Sequence, residues 1–142
     1  MKWACDQIGR FGFKIGYQFE PAWFTLWRRD DHYDLVLFKM YEDDDLDPVN
    51  STTPVPFEVG DKIITDAVDN SDLLSWDESY NADNAGDAEP FTWSLDIADL
   101  EGTKLFLTHG MGKLPPKEQF DAVLAAVRQA DPDFGTNFDV LK

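Results

Sequence analysis

The stretch YEDDDLDPVN at positions 41–50 places five carboxylates, Glu42, Asp43, Asp44, Asp45 and Asp47, in one short run. Asp43, Asp45 and Asp47 have the D-x-D-x-D spacing with which a calcium loop begins. Such a loop needs glycine at its sixth position for the sharp turn and a bidentate glutamate at its twelfth. Pro48 and Pro54 stand there instead, so the run starts a metal site without completing it. NADNAG (81–86) fails in the complementary way, with Gly86 at position six but Thr92 at position twelve. No metal and no cofactor is expected from either.

Catalytic chemistry has few candidates. THGMGK (108–113) looks like a phosphate loop, but a Walker loop needs four residues between its glycines and Ser or Thr after the lysine; Leu114 follows Lys113. A glycine-permitted turn is the expected role. No G-x-S-x-G nucleophile elbow occurs. His32 and His109 are the only imidazoles and Cys5 the only thiol, at spacings that fit no zinc site. The chain therefore reads as non-enzymatic, and the enzymatic alternative is a small hydrolase using His109, with Cys5 as a possible dyad partner.

The distribution of charge is more informative. Of the formal net charge of −16, the segment Met40–Thr103 carries −17, from 18 acidic residues against the single base Lys62. The two flanks together are at +1. Self-repulsion in such a segment opposes folding, so solubility alone does not explain it. A chain adapted to high salt, with an unrelated binding role, is the alternative; it would acidify the whole surface, whereas these flanks are near neutral. Direct nucleic-acid binding is disfavoured, because phosphate contacts need a basic stripe. The only basic pair, Arg28-Arg29, adjoins Asp30 and Asp31 and is expected to be neutralised locally.

A concentrated negative surface has a positive surface as its natural partner. Carboxylates offer Arg and Lys the charge-assisted hydrogen bonds that phosphates otherwise provide, and complementary fields speed encounter. The expectation is thus an acidic inhibitor or binding protein that mimics nucleic acid toward a basic protein, itself nucleic-acid-binding or a nuclease. Phage-encoded anti-defence inhibitors and immunity proteins against nuclease toxins use that strategy; the likeness is one of physics and not of motif. The first contacts expected are Asp43, Asp44, Asp45 and Asp47, presented as a spaced row if the segment is extended. Asp66, Asp69, Asp72, Asp77, Glu78, Asp83, Asp87 and Glu89 come second, with Tyr41, Trp76 and Tyr80 as aromatic anchors.

These residues need a scaffold, and hydrophobic periodicity supplies one. In FGFKIGYQF (11–19) Phe11, Phe13, Ile15, Tyr17 and Phe19 alternate with small or polar residues, as in a half-buried strand. Glu20-Pro21 breaks the run, AWFTLWR (22–28) and DLVLFKMY (34–41) come next as strands, and the three read as an antiparallel meander. Residues 42–56 read as a long loop. A strand is expected around 62–68, a short helix capped by Ser71 around 71–77, and a late hairpin from FTWSLDI (91–97) and TKLFLTH (103–109), turning at Gly102. In PPKEQFDAVLAAVRQA (115–130), Phe120, Val123, Leu124 and Val127 share a helical face, with prolines suited to the first turn.

The expected fold is α+β: an antiparallel sheet of five or six strands with one C-terminal helix packed on it, in a single domain spanning 1–142 with an acidic, loop-rich middle at 40–103. No apolar run reaches the roughly 20 residues of a membrane span. One cysteine and an N-terminus unlike a signal peptide suit a soluble protein of the reducing cytoplasm.

Overall fold

Alternation in the N-terminal third becomes three antiparallel strands in the computed structural model, which describes residues 1–82 and 89–142: β1 (Ile8–Tyr17), β2 (Glu20–Arg28) and β3 (Tyr33–Lys39). Phe11, Phe13 and Ile15 are buried on one face, and Lys14 is exposed on the other. The β1–β2 turn falls at Gln18 and Phe19. Glu20 and Pro21 therefore open β2 and do not break it, as proline is tolerated near a strand start. Phe19 consequently lies in the turn, exposed, and not on the buried face.

The late hairpin also forms, as β6 (Thr92–Asp99) and β7 (Lys104–Met111), with β6 pairing antiparallel to β1. Gly112, just after β7, has φ +70°, which favours glycine at the turn leading on to α2 (Lys117–Val127). Pro116 occupies the N-cap of that helix.

Several expectations need correction. Among the described residues the sheet has seven strands, in the order β4-β3-β2-β1-β6-β7-β5, and is antiparallel except where β5 (Ser79–Asn81) joins β7 in parallel. Part of the supposed loop 42–56 is β4 (Val49–Val55), paired to β3. As an edge strand it accommodates Pro54, which would remove a ladder bond in a central one.

The supposed strand at 62–68 is helix α1 (Phe57–Asp69). Gly60, Ile63, Ile64, Ala67 and Val68 are its buried residues, a 3.6-residue period overriding the β-branched composition of that stretch. The helix at 71–77 shrinks to a 3₁₀ turn, Leu73–Ser75. Ser71 is buried, and its hydroxyl donates back to the Ala67 carbonyl at 2.5 Å, so it closes α1 and does not cap the 3₁₀ turn.

Both helices pack on one face of the sheet. Phe120 of α2 meets Phe13 at 5.6 Å between ring centroids, and Phe57 of α1 meets Tyr33 at 5.6 Å, edge to face in both cases. Beyond α1, Trp76 stands edge-on to Trp93 of β6. Phe134 and Phe138, past α2, fill the space over β1 and β2. Fully burying each such ring contributes about 2–3 kcal/mol. Among the described residues the opposite face of the sheet carries no helix. Among the described residues no helix is long and apolar enough to cross a membrane.

Candidate functional site: the acidic end of the sheet

The β1–β2 turn and the β3–β4 loop lie at the same end of the sheet, as does the segment entering β6. The amide of Glu42 approaches Glu20 Oε1 at 3.4 Å, and Gln18 N–H donates to the carboxylate of Glu89. The turn thereby bridges two acidic segments that are more than forty residues apart in sequence. Glu20, Glu42, Asp43, Asp44, Asp45, Asp47 and Glu89 gather there, all exposed except the half-buried Glu20. Two of these, Glu20 and Glu42, were absent from the expected contacts. Only strand pairing brings Glu20 to this end, and its signal in sequence was the turn just before it.

Within the β3–β4 loop the chain curls and is not extended. Leu46 N–H donates to the Asp43 carbonyl at 3.0 Å, and Asp45 N–H donates to Asp43 Oδ1 at 2.9 Å. The expected spaced row of Asp43, Asp45 and Asp47 is therefore corrected: an Asp-initiated turn fans the carboxylates outward. Among the described residues no three His, Cys, Asp or Glu side chains come together to hold a metal ion.

The electrostatics of this end are one-sided. Among the described residues, Glu42, Asp43, Asp44, Asp45, Asp47 and Glu89 have no cation within 4.0 Å. Lys39, the last residue of β3, is the nearest base in sequence, but it turns inward. Its ammonium lies 2.6 Å from Asp131, and both side chains are largely buried, at 8% and 13% exposure.

The remaining expected contacts divide. Asp66 on α1 pairs with Lys62 at 2.6 Å and accepts from Gln129 of the chain beyond α2; the Lys62 hydrogen bond holds its carboxyl below the usual carboxylate range. Asp69 pairs with the N-terminal amine at 2.8 Å. Asp72 takes a left-handed conformation and accepts from the Ser75 hydroxyl. Asp77 and Glu78 are exposed beside β5, where their carbonyls accept from Thr108 and His109 of β7. Five strand spacings of about 4.8 Å separate β3 from β5, so Asp77 and Glu78 stand roughly 24 Å across the sheet from the β3–β4 loop. Asp83 and Asp87 lie outside the described residues.

The aromatic anchors divide likewise. Trp76 is buried in the core and donates to the Ser71 carbonyl, and Tyr80 packs on Trp93 while its hydroxyl accepts from Asp77 N–H. Only Tyr41, half-buried at the root of the loop, stands beside the acidic end.

Arg28 and Arg29 are neutralised, but by Asp61 of α1 and Asp34 of β3, and not by Asp30 and Asp31. Cys5 faces α1, with Sγ near the Asp61 carbonyl and the Thr65 hydroxyl, whereas His109 lines a hollow on the helix-free face. The helix-side thiol and the open-face imidazole do not form a dyad. No protein-family model matches the sequence, and no curated protein matches it.

Proposed function

We propose that this protein is a non-enzymatic binder, and in effect an inhibitor, of a basic protein surface that otherwise grips nucleic acid. The observation that carries this reading is the gathering of six exposed carboxylates at one end of the sheet with no cation of their own among the described residues. Carboxylates left unpaired keep their full capacity for charge-assisted hydrogen bonds to incoming Arg and Lys. The contact set under this reading is Glu42, Asp43, Asp44, Asp45, Asp47 and Glu89, with Tyr41 at its margin; Asp66 and Asp69 drop out because they are paired internally. Partner and protein would meet in the cytoplasm.

The test compares the full chain with the variant in which Asp43, Asp44, Asp45 and Asp47 are all changed to Asn. Each is immobilised and challenged with host lysate at low salt, then eluted with duplex DNA. The reading expects basic nucleic-acid-binding proteins on the original chain, released by DNA, and none on the variant. Retention of no basic protein, or a bound protein that DNA never displaces, would sink it.

A further inference from the structure

The helix-free face is assembled by register into rows. Across one row, Phe38 stands opposite Trp23, Trp23 opposite Lys14, Lys14 opposite Ser94, and Ser94 opposite His109. In the next row Gly12 sits between Thr25 and Asp96, and in the third Arg10 stands opposite Trp27. Gly12 leaves the floor of the face bare between the two tryptophan–cation pairs. A Cβ there would lie 2.5 Å from Asp96 Oδ1, so any larger residue would displace that carboxylate.

Two hollows result, of about 450 and 440 Å³, and both are lined by Lys14 and Ser94, where they meet. Each falls in the size range of small-molecule sites, roughly 300–1,000 Å³.

The lining has a definite chemistry. Trp23, which lines the second hollow, is 40% exposed despite its size, and Phe38 of the neighbouring strand supports it at 5.0 Å between centroids, the rings tilted by 40°. Lys14 Nζ stands 4.5 Å from the centre of the Trp23 ring. Among the described residues Lys14 and Lys104, which lines the first hollow, have no carboxylate within 4.0 Å. Both ammonium groups therefore face this hollow side without a carboxylate among the described residues. The carboxylate nearest to hand, Asp96, is already held by Arg10 at 2.5 Å.

We propose that this groove binds a small planar aromatic anion, its ring packed against the exposed Trp23 and its anionic group on Lys14, with Ser94 and His109 as hydrogen-bonding neighbours. Base–aromatic stacking accounts for the exposed indole, and the ammonium beside it selects charge, which a neutral sugar or apolar ligand would not need. A polynucleotide is disfavoured as the occupant, because its further phosphates would run into the field of a chain at −16. Nucleoside phosphates and aromatic carboxylates share the required chemistry.

The experiment titrates the full chain with adenosine monophosphate, anthranilate and uncharged adenosine, following the indole N–H signals of Trp23 and Trp27 by NMR. The expected result is a saturable shift of Trp23 with at least one anion, and binding of that anion about tenfold weaker or worse in Lys14→Gln, a loss typical of one charge-assisted contact. Lys117→Gln, on α2 behind the sheet, should leave binding unchanged. Tighter binding of the phosphate or of the carboxylate identifies the source. Absence of a saturable shift with either anion up to about 10 mM, a concentration corresponding to negligible affinity, overturns the proposal. So does unchanged affinity in Lys14→Gln, or adenosine binding as tightly as its phosphate; the latter comparison stands even if the variant misfolds.

Discussion

The two connections that flank β3 look alike in sequence and differ in the fold. RRDDHYD (28–34) precedes it and YEDDDLD (41–47) comes after it, each polar and rich in aspartate. At the first, Arg28 reaches Asp61, Arg29 holds Asp34 at 2.8 Å, and His32 lies between Asp31 and Asp34 at 2.5 and 3.0 Å. At the second, every carboxylate is exposed, and the adjacent lysine is buried with a different partner. One end of the strand is electrostatically closed and the other open. Acidic composition alone does not distinguish the two connections; the partners their carboxylates find among the described residues do.

The largest effect expected from testing this contrast comes from Lys39→Ala. It strands the largely buried Asp131 without its cation and should cost about 3 kcal/mol in urea unfolding, typical of breaking a buried pair from one side. A loss below about 1 kcal/mol would mean that Lys39 is free to neutralise the loop, and the contrast would fail. Arg28→Ala comes next. Its guanidinium donates to the Tyr33 hydroxyl at 2.9 Å and to the Cys5 carbonyl, and it lies over the Phe57 ring at 4.1 Å. Removing it should cost about 2 kcal/mol through lost charged hydrogen bonds and packing.

Changing Asp43, Asp44, Asp45 and Asp47 together to Asn should act in the opposite direction. Relief of repulsion in an unpaired cluster should stabilise the fold by about 0.5 kcal/mol at low ionic strength and by nothing measurable in about 1 M salt. Destabilisation at both salt concentrations would show that the loop has internal partners after all. The same melts across salt address adaptation to a saline interior, which predicts unfolding when salt is withdrawn.

The smallest effect is the pH response of the closed end. Hydrogen bonds from His32, first to Asp31 and then to Asp34, raise its pKa above the ordinary 6.5. The stability it contributes is therefore complete below pH 6.5 and is lost as pH rises through the raised value. Asp34 is shifted downward, chiefly by its hydrogen bond from Arg29, so its contribution holds above the ordinary 3.8 and is lost as pH falls through the lowered value. Between 3.8 and 6.5 both contributions are present. A His32→Gln variant should fall slightly below the original chain at pH 5.5, by a margin that shrinks as pH rises through the raised value; a margin that does not change with pH would remove the imidazole from the network.

Legibility differed by element for physical reasons. Alternation in residues 11–15 and the helical stripe through Phe120, Val123, Leu124 and Val127 are local patterns, and both were readable. Helix α1 was misread because Ile63, Ile64 and Val68 favour strands as individuals, while their spacing with Gly60 and Ala67 matches a helix packed on the sheet. β4 was missed because an edge strand of Asn, Ser, Thr and Pro has no apolar alternation to show; its pairing with β3 defines it. Among the site residues, Asp43, Asp44, Asp45 and Asp47 were visible as a run, whereas Glu20 joined them only through the turn that sets β2 against β1.

The chain itself, then, determined the meander, the late hairpin, the C-terminal helix and the confinement of excess charge to its middle, because each is written in neighbours along the backbone. Tertiary structure decided which carboxylates remain free, since Asp61, Asp69 and Asp96 find their cations at Arg28, the N-terminus and Arg10 only after folding. It also decided the aromatic groove. Phe38, Trp23, Lys14, Ser94 and His109 come from five strands, and a shift of one residue in any pairing would turn that strand's contribution to the other face.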